Sequence, residues 1–154
     1  MSGAGNAGAA WRRGAGVALL AALAACARGG ALPAGLAVLR PFAYEAQAGG
    51  PAAAYGTLWN GSDSADVVDS VTTEGLGAAG LHSSETVNGF VTMRALERPA
   101  IAAHDSLALA PGGAHLMIES VPRELRAGDT LALTFWFHRA GPVRAPAPVR
   151  PYGQ

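Results

Sequence analysis

His82, Met93, His115 and Met117 follow the spacing His-x10-Met-x21-His-x-Met. The chain holds three methionines, and apart from Met1 both belong to this set. A thioether is a soft donor and an imidazole a borderline one, so the combination suits Cu(I) better than oxygen-seeking metals. Taken singly, each residue has an ordinary role, because methionine commonly fills gaps in a core and a surface histidine commonly does nothing. What matters is whether the chain brings them together. His104 lies in a polar turn beside Asp105, and His138 closes an apolar run before Arg139. Neither has a methionine nearby, and both are assigned to structure or solvent.

The elements that must position these residues read as strands. Short apolar or β-branched runs, separated by Gly, Pro, Asn and Asp, cover Ala37–Tyr44, Ala53–Trp59, Ala65–Thr72, Ala79–Ser84, Phe90–Leu96, Ser106–Leu109, His115–Val121 and Thr130–His138. Eight such runs predict an all-β sandwich or barrel. Asn88-Gly89 is the strongest hairpin signal, since a type I′ turn needs positive φ at both central positions. Closing it pairs Val87 with Phe90 and puts Ser84 opposite Met93. Strand alternation places His82 on the face of Ser84, a diagonal neighbour of Met93. His115 and Met117 share one face of the strand entered from Pro111-Gly112-Gly113, while Leu116 and Ile118 face the core. One hairpin and one further strand thus each offer one imidazole and one thioether to a common side.

The N-terminus carries an export signal. Arg12-Arg13 precede an apolar run from Val17 to Ala25, the pattern of a secretory signal peptide. That run falls short of the roughly 20 residues a spanning helix needs. Leu23-Ala24-Ala25-Cys26 looks like a bacterial lipobox, in which Cys26 becomes the lipidated first residue of the mature chain. Ordinary cleavage after Ala25-Cys26-Ala27 is the competing reading. The lipobox is preferred because Cys26 is the single cysteine and stands at the required position. The flanks of Arg12-Arg13 give little support to twin-arginine export. The expected organisation is a signal peptide and lipobox over 1–26, a Gly-rich tether over 27–35, a domain over 36–145, and an irregular tail over 146–154.

Composition removes several function classes. All eleven basic residues are arginine. Without Arg12 and Arg13, nine face eleven acids, a net charge of −2 that offers no basic patch for nucleic acid. No cysteine follows residue 26, so the domain has no internal disulfide and no thiolate for a metal. A blue-copper electron-transfer site needs such a thiolate. There is no Gly-rich phosphate loop and no convergent nucleophile–base–acid set, although Ser83 and Ser84 adjoin His82. The chain is therefore not read as an enzyme.

The stretches Pro51–Asn60, Leu81-His82, Met93-Arg94, Leu109–Met117 and Leu125–Phe135 resemble the periplasmic copper chaperones of the PCu(A)C family, over roughly residues 37 to 145. All four positions of that family's metal motif are occupied here. The resemblance implies a cupredoxin-like β-sandwich of Greek-key type. It also implies a monomer that binds one Cu(I) through His82, Met93, His115 and Met117 outside the cytoplasm. The cargo would pass to a copper-accepting protein, such as a cytochrome c oxidase subunit or another assembly chaperone. Some members carry a further methionine after the first histidine, where this chain has Ser83 and Ser84. Others end in a His- and Met-rich tail, but Pro148–Gln154 contains neither residue, so the resemblance does not extend to a second copper site. A lipidated Cys26 would make this an anchored version of a protein often free in the periplasm. The reading from a different class is an exported β-sandwich with an adhesive or structural role and no part in metal transfer.

Overall fold

The computed structural model describes residues 31–153. The expected signal peptide, the lipobox at Cys26 and the tether up to residue 30 lie outside them. The described chain is all β, with ten strands: β1 Leu36–Tyr44, β2 Ala52–Asn60, β3 Asp66–Thr73, β4 Ala79–Val87, β5 Phe90–Ala95, β6 Ala100–Ile101, β7 Asp105–Leu109, β8 Ala114–Ile118, β9 Thr130–Phe137 and β10 Gly141–Arg150. They form one curled sheet in the order β5-β4-β8-β2-β1-β10-β9-β3-β6, with β7 also paired to β2. Among the described residues, no helix is long and apolar enough to cross a membrane.

Period-two patterning explains why these segments are strands. Along β9, Leu131, Leu133, Phe135 and Phe137 are buried, and the residues between them are more exposed. Along β10, Ala145, Ala147 and Val149 are buried and alternate with exposed Arg144, Pro146, Pro148 and Arg150. These rows meet Leu58, Leu116, Ile118, Val121 and Leu125 in one apolar core. β8 is an inner strand, flanked by β4 and by the first half of β2, whose second half pairs with β7 instead.

Two strands depart from the sequence reading. β6 is only two residues long and pairs with Asp66 and Val67 of β3, too short to leave a periodic signature. The expected irregular tail from residue 146 gives way to β10, which is regular as far as Arg150 and antiparallel to β9 from Gly141↔Phe137 to Pro148↔Thr130. Proline is tolerated because Pro142, Pro146 and Pro148 share one parity. The N–H of Val149, of the other parity, donates to Asp129 O on the β9 side, while Arg150 O accepts from Glu45 N on the β1 side. Each proline nitrogen therefore faces away from β9, where no ladder bond is lost.

Candidate metal centre

The site grows from a turn and two registers. Asn88 and Gly89 both have positive φ, 51° and 80°, as a type I′ turn demands. From that turn Val87 pairs with Phe90 and Ser84 with Met93, so His82 stands opposite Ala95 and diagonal to Met93. On its other side β4 pairs with β8, setting His82 directly opposite His115 and Gly80 opposite Met117. Directly opposed residues share a face. The four residues singled out in the sequence thus occupy one face of three adjacent strands, β5-β4-β8. Leu116 and Ile118, of the alternate parity, are fully buried in the core.

The two imidazoles lie 6.1 Å apart between ring centroids, inclined by 28°. His115 is 7% exposed, and its Nδ1 lies 3.0 Å from Gly113 O. A carbonyl can only accept, so Nδ1 carries the proton and Nε2 of the neutral ring keeps its lone pair. The same Gly113 carbonyl accepts from Ser84 N at 3.1 Å, so one oxygen orients the ring and ties β4 beside it. His82 Nδ1 is buried and has no hydrogen-bond partner, the single such side-chain atom among the described residues. A buried polar atom without a partner is costly, and a metal ion is one way to satisfy it. Gly80 flanks this ring: a Cβ there would stand in ordinary contact with His82 Cε1, at 3.4 Å, so only a side chain larger than alanine would press on it. Met117 is half-buried on inner strand β8, whereas Met93 is 48% exposed on edge strand β5.

Gly80 and the Gly113 carbonyl are the parts that sequence reasoning passed over. Strand parity could have found Gly80, two residues before His82. Nothing in the composition marks a particular carbonyl. The other histidines pair with acids: His104 Nε2 lies 2.8 Å from Asp63 Oδ1, and His138 Nδ1 lies 3.2 Å from Asp69 Oδ2. Among the described residues, no three His, Cys, Asp or Glu side chains gather as a metal site. The set at β5-β4-β8 therefore depends on its thioethers.

A cleft of about 450 Å³ opens beside His82, with Asp69, Leu96, Arg98 and Glu119 among its walls. The Arg98 guanidinium on Asp69 Oδ1, with His138 on the other oxygen, holds the Asp69 carboxyl below the usual carboxylate range.

The family model described as "Putative lipoprotein LpqE-like" matches residues 36–149. A protein of Leifsonia xyli subsp. xyli, named a putative lipoprotein, is 29% identical over 109 residues. The match takes in 70% of this chain and 66% of that relative, just under two thirds of its length. Among solved structures, the apo PCuAC domain from PmoF1 is 25% identical with a TM-score of 0.58, over 74% of this chain and 92% of that one. The solution structure of CuI-DR1885 from Deinococcus radiodurans is 26% identical with a TM-score of 0.56, over 83% and 85%. The copper-bound PCuAC domain from PmoF2, at 19% identity and a TM-score of 0.61 over 74% and 91%, bears on the fold alone.

Proposed function

This chain belongs to the LpqE-like family and has the cupredoxin-like β fold of PCu(A)C domains, and on that ground we propose that it is an exported copper chaperone. It carries one Cu(I) on His82, Met93, His115 and Met117 and hands it to a copper-accepting protein. The observation that carries this reading is the pair of opposed imidazoles with an unpartnered buried nitrogen on His82. A solved neighbour described as CuI-loaded supports copper as the cargo. Two neutral imidazoles and two thioethers suit a d10 ion. None of the four is an anion, so the ion is held without a charge pair that would resist its release.

Transfer follows from the uneven setting of the ligands. His115 is oriented by Gly113, and Met117 stands on an inner strand. Met93 stands on the exposed edge strand β5. An acceptor's donor approaches from the Met93 side and bonds to the ion before the last of the chain's own bonds breaks. Copper remains Cu(I) throughout, so no electron or proton need be supplied. The acceptor is a copper site under assembly, as in cytochrome c oxidase. The chain acts as a monomeric carrier rather than a catalyst. The relative's name, with the Leu23–Cys26 sequence, supports a lipoprotein held outside the cytoplasm through Cys26.

Cu(I) titration against a competing chromophore, followed by X-ray absorption, tests the site. One copper per chain with nitrogen and sulfur neighbours is expected, and loss of tight binding in Met93→Leu/Met117→Leu. Unchanged binding in that double variant would overturn the ligand assignment.

A further inference from the structure

The tip of the β4–β5 hairpin exposes Val87, Phe90 and Val91, with Phe90 76% and Val91 72% exposed. Cross-strand pairing puts Val87 and Phe90 on one face and Val91 on the other, beside Met93. The ribbon is therefore apolar on both faces at its end. No charged residue occurs between Glu85 and Arg94. A docking contact with a folded protein would use one face, whereas a bilayer interface accepts both. From the Thr86↔Val91 pair to the turn is two residues, about 7 Å of ribbon, comparable with the roughly 5–10 Å that interfacial apolar faces reach.

The route of the chain leads to the same end. β2 runs toward Asn60, which pairs with Leu36 at the start of β1. β8 runs antiparallel to β2 and starts at Ala114, which pairs with Ser83, and β4 continues from there to the hairpin tip. Trp59 Nε1 donates to Pro33 O at 2.8 Å, and Gly61 N to Gly35 O at 3.1 Å, so the incoming segment is tied to this end of the sheet. Leu32 stands six positions after Cys26, a reach of about 20 Å at full extension. We infer that the Val87–Val91 tip is a membrane-contacting element that enters the interface of the bilayer holding the N-terminus. This inference rests on the lipid-anchor reading of Cys26.

The test uses the full chain, recovered from membranes and reconstituted into phosphatidylcholine vesicles, with a nitroxide placed through Phe90→Cys or, at the opposite end of the sheet, through Ala127→Cys. Position 90 is too exposed for its substitution to disturb the core. The label at 90 should gain access to oxygen and lose access to a water-soluble nickel chelate, while the label at 127 remains open to nickel. Equal nickel access at both positions, on a chain whose intact mass carries the lipid, overturns the inference and leaves the anchor standing. A mass without lipid overturns the anchor reading and the inference with it. A label at 90 that is immobilised yet open to nickel marks contact with protein, and also overturns it.

Discussion

Asp66→Ala separates the stability of the scaffold from the chemistry of the site. Asp66 is 4% exposed, and its carboxylate accepts three backbone N–H groups. Oδ1 takes Val67 N at 2.8 Å and Arg139 N at 2.9 Å, and Oδ2 takes Ala140 N at 2.9 Å. Burial pushes this carboxyl up, but the N–H groups of Arg139, Val67 and Ala140, with the Arg139 charge, bring it below its ordinary value. Hydrogen bonds to a charged group contribute about 1.5–3 kcal/mol each, and orphaned buried donors lose their desolvation as well. Water entering the gap left by alanine recovers part of that, so a net cost of about 3–4 kcal/mol is expected. At about 4 °C per kcal/mol for a domain of this size, Tm should fall by roughly 12–16 °C at pH 7. Because the folded carboxyl titrates below its unfolded value, its stabilisation is full above the unfolded range and disappears as pH falls through the folded one. The gap in Tm between the two chains should therefore close in acid. Thermal unfolding by circular dichroism at several pH values measures both effects. A loss under about 4 °C at neutral pH, or a gap that persists in strong acid, would refute the assignment of this carboxylate as a staple between β3 and the Arg139–Ala140 turn.

Gly80→Val should leave Tm nearly unchanged but weaken Cu(I) binding by about tenfold or more, the scale found when groups that orient a metal ligand are disturbed; competition titration reads it, and unaltered affinity counts against a site beside Gly80. Asn60 is fully buried, with Nδ2 donating to Ser64 O and Ile101 O and Oδ1 accepting from Ser62 N and Oγ, so Asn60→Ala should cost about 2–4 kcal/mol in urea unfolding. Acidification should release Cu(I), because protons compete for the imidazole lone pairs of His82 and His115; copper retained in the protein fraction on gel filtration after acidification would argue for thioether ligation alone.

The placement of the four candidate residues was legible where side-chain parity and turn chemistry decide the outcome. Asn88-Gly89 specifies a turn, the turn specifies that Ser84 meets Met93, and alternation then carries His82 and Met93 onto one face. The direct opposition of His82 and His115 was not legible. It depends on β4 and β8 being neighbours, although β5, β6 and β7 intervene in the chain. Pairing across such a separation is settled by which apolar rows fit the core, here Leu81 opposite Leu116, and no local pattern encodes it. β10 was obscured for the opposite reason. Its prolines advertise irregularity locally, and only the direction each nitrogen faces reconciles them with a regular strand. The orientation of His115 was likewise hidden, because it rests on a main-chain oxygen whose position depends on the fold around it.

The prolines of β10 also bear on how the chain behaves in company. In register, β1 and β10 pair only at Ala43↔Val149 and Tyr44↔Arg150, so the sheet is joined there by its last few residues. Along the rest of β10 the side turned from β9 would offer a foreign strand a row of N–H donors. Pro142, Pro146 and Pro148 remove three of them, leaving an edge that is poor at recruiting another chain. Such an edge limits strand-to-strand aggregation between neighbouring copies, however closely they are crowded.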